Sequence, residues 1–76
     1  MARFNVYRVW EGHLSLETGC GSKRDAVSSA RYSHKLDHAE RTRVVVREED
    51  TEQLVVGQQI AARTILLVLK GKQTED

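Results

Sequence analysis

The chain opens on an alternation. In RFNVYRVW, residues 3–10, Phe4, Val6 and Trp10 fall on one side of an extended backbone and Tyr7 and Val9 on the other. Aromatic and β-branched side chains suit a pleated, half-buried surface, so this run predicts a strand. Glu11-Gly12 follows as a tight turn, and HLSLET alternates Leu14 and Leu16 with polar neighbours. A β-hairpin is the expected result. Gly19-Cys20-Gly21 should end it, because two closely spaced glycines interrupt a regular element.

Ser22 then carries a helix-start signal. Its hydroxyl can accept from a first-turn backbone N–H, and Asp25 can reach back in a variant of the capping box. Good helix formers run without a breaker to about Ala39, predicting a helix of about 17 residues. A step of about 100° per residue places Ala26, Val27, Ala30 and His34 in one stripe, with Tyr32 and Leu36 on nearly the opposite side. Arg41 to Arg47 alternates again around Val44-Val45-Val46, a third strand. Glu48 to Thr51 reads as a polar turn and Gln53-Leu54-Val55-Val56 as a fourth strand.

From Gln59 to Lys70 the apolar positions surround a helical wheel, so periodicity does not arbitrate. QQIAAR favours helix and TILLVLK favours strand, and the reading leans to a strand after a short helical turn. The expected fold is α+β: a small four- or five-stranded, mainly antiparallel sheet in the order β-β-α-β-β, with a possible C-terminal strand or helix. One helix packs on a face. Residues 1–76 form a single small domain, with a frayed tail from Gly71.

Both faces of such a sheet carry apolar side chains. Val44 and Val46 oppose Val45, and Leu54 and Val56 oppose Val55. One helix covers one face, so the C-terminal segment or a second subunit must cover the other. A chain this short buries only about 60–65% of its unfolded surface, and pairing would enlarge a marginal core. A homodimer or tight protein complex is therefore expected.

Composition narrows the setting. No run reaches the 18 or so apolar residues of a membrane span, and the N-terminus leads into strand-like sequence without a signal-peptide core. The expectation is a soluble, cytoplasmic chain with no membrane partner. The single cysteine, Cys20, leaves no internal disulfide and fits a reducing compartment.

The formal charge of +1 hides an asymmetry. Residues 23–47 hold Lys23, Arg24, Arg31, Lys35, Arg41, Arg43 and Arg47 against Asp25, Asp37 and Glu40. Residues 48–76 hold six acidic side chains against three basic ones. Such a split can steer partners.

Four chemistries are conceivable. His34 and His38, four apart, match helical two-histidine metal sites, but Lys35 stands where a metalloprotease has Glu. Asp37 is better placed for an ion pair with Arg41 or Arg31, and neither Cys20 nor His13 completes a ligand set at a diagnostic spacing. Cys20 lies just before a helix N-terminus, where a thiol pKa falls, yet no second acid or oxyanion motif is legible. GCGSKR offers amides, a hydroxyl and two cations to an anion, without the order of a phosphate-binding loop. The band 23–47 could contact phosphates, with Tyr7, Trp10 or Tyr32 stacking bases, although the net charge is near zero.

The expectation is no enzyme, no cofactor and no metal, but a small interaction, accessory or regulatory module that self-associates. Its candidate partner-binding residues are Tyr7, Trp10, Arg31, Tyr32, Lys35, Leu36, Arg41, Arg43 and Arg47, since aromatic and arginine side chains dominate interface energetics. Nucleic-acid binding through residues 23–47 is the alternative. The element order also resembles that of many short proteins from phages and mobile elements, some anti-CRISPR inhibitors among them. That resemblance covers architecture alone and implies, as a further alternative, a bacterial or phage inhibitor of a larger complex.

Overall fold

The computed structural model describes residues 3–53 and 65–72. Their elements are β1 (Phe4–Trp10), β2 (His13–Cys20), α1 (Lys23–Leu36), β3 (Thr42–Arg47), a 3-10 helix (Glu48–Gln53) and β4 (Ile65–Leu69). The strands form one sheet in the order β2-β1-β3-β4, and every pairing is antiparallel. With α1 packed on it, this is the expected small α+β domain.

The hairpin closes as its sequence dictates. Trp10 pairs with His13, and the two residues between them have positive φ, 47° at Glu11 and 78° at Gly12. Two such residues make the loop whose twist matches that of paired strands. Contrary to expectation, β2 runs through Gly19 to Cys20. Gly19 sits opposite Asn5, where an added Cβ would meet Arg3 Nη2 at 2.8 Å and Asn5 Oδ1 at 3.2 Å. Cross-strand pairing overrides the local preference of glycine, and the missing side chain leaves room for its neighbours.

The helix begins as expected and ends earlier. Ser22 is extended, and its Oγ accepts from Asp25 N–H at 3.1 Å. The helix has 14 residues, with Asp37 as its C-cap. His38 N donates to Lys35 O (3.1 Å) and Ala39 N to His34 O (2.8 Å), the paired bonds of a Schellman motif. His38 and Ala39 both adopt left-handed φ, 58° and 60°. His38 has therefore left the helix, so the expected helical pairing of His34 with His38 is corrected.

Ala26 and Ala30 face the sheet and are fully buried with Val6 and Val45. Phe4, Cys20, Leu66, Leu67 and Leu69 pack around them. Val6 and Val45 are cross-strand partners, and each contributes about 1.5–3 kcal/mol by burial. The alanines let the helix approach closely enough to seal this layer. On the opposite face Val44 and Val46 are also buried. Their cross-strand neighbours are Tyr7 and Val68 for Val44, and Asn5 and Ile65 for Val46. These two valines are shielded within one chain, so they supply no reason for a second subunit.

Within the ambiguous C-terminal segment, residues 65–69 are a strand. The register with β3 shifts at Val45/Val46, where Leu66 is the extra residue. Gly71 N–H donates to Thr42 Oγ1 (2.9 Å) and Lys72 N–H to Ala39 O (2.8 Å), so these two residues are held rather than frayed. Gln53, expected in a strand, belongs to the 3-10 helix. The remainder of that expected strand, Leu54–Val56, and residues 59–64 and 73–76 lie outside the described residues.

Candidate functional site

The basic band does not survive folding as one surface. Arg43 points toward the helix side of the sheet and is 3% exposed. Its Nη2 lies 2.8 Å from Asp37 Oδ2 and its Nε 3.1 Å from Glu17 Oε2. Nη1 donates to Arg41 O (3.0 Å) and Nη2 to Ser33 O (3.3 Å). The β-bulge between β1 and β2, in which Glu17 is the extra residue, brings that carboxylate to Arg43. The expected Asp37 partners, Arg41 or Arg31, are thus replaced by Arg43. The planar guanidinium fork meets two carboxylates and two carbonyls at once, which a point charge could not do. Partial burial pushes the Asp37 carboxyl up, but the hydrogen bond and charge of Arg43, with smaller contributions from the Glu40 backbone and His34, together hold it below its ordinary value.

The other candidates separate. The Arg41 guanidinium lies 5.1 Å from the Trp10 ring centroid, a cation–π contact that occupies both. Tyr7 is half-buried, with its hydroxyl 3.5 Å from Asn5 Nδ2, which also donates to Thr51 Oγ1 at 3.3 Å. Arg47 reaches Glu49 at 3.8 Å, but both side chains are exposed and such a pair contributes little. Arg43, withdrawn to the interior, is a structural residue.

Four of the nine come together on α1. Tyr32 and Leu36 are 66% and 62% exposed, and Arg31 and Lys35 beside them are exposed too. Sequence reasoning missed the adjoining part of this face. Lys23, Arg24, Val27, Ser28 and Arg31 line an open hollow of about 630 Å³. The signal was the spacing: Lys23, Val27, Arg31 and Lys35 form one i+4 ridge of the helix, and Arg24, Ser28, Tyr32 and Leu36 the next. None of the four cations on these ridges forms an ion pair with a described residue. Leu16, also 62% exposed, stands alone on β2.

The remaining chemistry is structural in its geometry. His34 is half-buried, with Nδ1 3.2 Å from Arg41 O. Cys20 is half-buried and packs against the core instead of standing free in a loop. The Ser22 hydroxyl is engaged in capping. Among the described residues no three His, Cys, Asp or Glu side chains gather as a metal-ligand set, and no helix is long and apolar enough to cross a membrane. No protein-family model, curated protein or solved structure matches the chain.

Proposed function

We propose that this chain is a small, non-catalytic protein–protein interaction module that docks through the outward face of α1. One observation carries the reading: Tyr32 and Leu36 are both more than half exposed on a helix whose inner side is already sealed by Ala26 and Ala30. The fold does not need them there. An aromatic and a leucine four residues apart, flanked by Arg31 and Lys35, supply the anchors of helix-mediated recognition. Regulation or inhibition of a larger complex is a natural use of such a module.

Self-association belongs to a different surface. β4 is an edge strand among the described residues, and its sequence ILLVL holds no charge, proline or glycine to discourage pairing. A second copy pairing there antiparallel would extend the sheet across a two-fold axis. Sedimentation at tens of micromolar should then give a dimer mass, and a monomer at all concentrations would count against it.

The docking role is tested by placing a photo-crosslinking residue at Ser28 and irradiating cells of the native host. A discrete protein adduct is expected, and Tyr32→Ala with Leu36→Ala should abolish it while leaving thermal stability within about 0.5 kcal/mol. An adduct that persists in the double variant contradicts docking on this face. A second reading, nucleic-acid binding, is favoured by the cation-lined hollow alone.

A further inference from the structure

We infer that the occupant of the α1 face is an acidic, amphipathic segment of another protein and not a second copy of this chain. The inference rests on the docking role proposed above and specifies the partner's chemistry.

Charge is the first argument. Lys23, Arg24, Arg31 and Lys35 stand on α1 against a single carboxylate, Asp25, a formal +3 with His34 neutral. Arg43 and Arg41, which would have extended the band over the sheet, are engaged by Asp37, Glu17 and Trp10. Four cations with no ion pair to a described residue thus lie along one helix about 20 Å long. Two copies meeting through this face would oppose +3 with +3, and like-charge juxtaposition of this kind suppresses a wrong partner. The acidic run Glu48-Glu49-Asp50 offers a second copy little more. Glu48 and Glu49 lie near Arg3 and Arg47, and the 3-10 helix that bears them carries no apolar anchor.

Apolar content is the second argument, and it separates protein from polynucleotide. Val27 lines the hollow from the first ridge, and the second ridge ends in the exposed Tyr32 and Leu36 on the far side of Arg24 and Arg31. A phosphate backbone would meet the cations and leave Val27 and Leu36 facing charge. A segment with carboxylates along its centre and apolar side chains toward its flanks satisfies both sets, since Arg24, Arg31 and Lys35 run along the middle of the face with Val27 on one side and Tyr32 and Leu36 on the other. The whole-chain charge of +1 likewise lacks the broad basic footprint of a polynucleotide binder.

Three fluorescent probes decide the matter by anisotropy: a random Glu/Tyr copolymer, polyglutamate of equal length, and an oligo-deoxythymidylate of equal charge. Each is titrated at low and at physiological salt. The copolymer should bind most tightly and keep its affinity at physiological salt, where contacts made by charge alone are screened. Lys23→Glu with Arg31→Glu should weaken it at least tenfold or so, by roughly the like-charge penalty. Tyr32→Ala with Leu36→Ala should lower the copolymer to the level of polyglutamate. Tighter binding of the oligonucleotide would assign the face to nucleic acid, and copolymer binding indifferent to charge reversal would overturn the inference. Failure of the copolymer, with the Ser28 adduct still formed and lost in the Tyr32/Leu36 variant, would reject the acidic partner and leave docking standing. Absence of both would reject both.

Discussion

Arg43→Met tests whether the buried guanidinium organises the C-terminal end of α1. Methionine keeps most of the aliphatic stem and removes all four polar contacts, to Asp37, Glu17, Ser33 O and Arg41 O. Removing one partner from a buried ion pair costs about 3–5 kcal/mol. The Asp37 and Glu17 side chains are 22% and 23% exposed, so water recovers part of their solvation, and the lower end, about 3 kcal/mol, applies. A chain of this length has a total stability of about 4–11 kcal/mol. The substitution should therefore lower the melting temperature by about 12–24 °C. Thermal and urea unfolding followed by far-UV circular dichroism measure this directly. Replacing the cluster as a whole, with Arg43→Met, Asp37→Leu and Glu17→Leu together, should recover much of the loss, because no carboxylate is then left facing an apolar layer. A loss under about 1 kcal/mol for the single variant, or a triple variant no better than it, would refute the reasoning.

The same site sets a pH dependence. Although burial raises it, the Asp37 carboxyl is held below its ordinary value, chiefly by Arg43, so its contribution is complete above about pH 5 and is lost as pH falls through the lowered folded value. Urea midpoints measured from neutral to strongly acid pH should show that decline, and Asp37→Asn should flatten this part of it. His38→Gly should raise stability by about 0.5–1 kcal/mol, since the left-handed φ of 58° strains any residue with a Cβ; calorimetry reads the gain. Gly71→Ala should cost about 1–3 kcal/mol as overpacking, because its Cβ would strike the Arg41–Thr42 backbone. Accelerated amide exchange along β4 would locate that damage.

The first three strands and the helix start were legible because they rest on local patterns, whereas β4 lies in the segment where periodicity does not arbitrate. Alternation marked β1 and β3, Glu11-Gly12 marked the turn, and Ser22 marked the cap. The helix end was not legible, because it depends on His38 and Ala39 accepting left-handed conformations that ordinarily call for glycine. Gly19 misled for the opposite reason: its role is to leave room beside Asn5, a relation set by cross-strand pairing. The candidate site was half legible. Helical geometry groups Tyr32 with Leu36 opposite the alanine stripe, and only the fold decides that the alanine side meets the sheet. The fate of the arginines was hidden, since the partners of Arg43 come from β2 and the end of α1, 26 and six residues away in sequence. A basic band in sequence became one internal ion cluster, one aromatic stack, one exposed helix face and a separate exposed Arg47 near Glu49.

The central claim is that the outward face of α1 is the docking surface. Amide chemical-shift mapping of the isotope-labelled chain, titrated with the Glu/Tyr copolymer, addresses it most directly. Shifts concentrated at Arg24, Val27, Ser28, Arg31, Tyr32, Lys35 and Leu36, with β1 and β2 unmoved, are the predicted result. Shifts centred on the strands, or spread evenly over every exposed lysine and arginine, would contradict it.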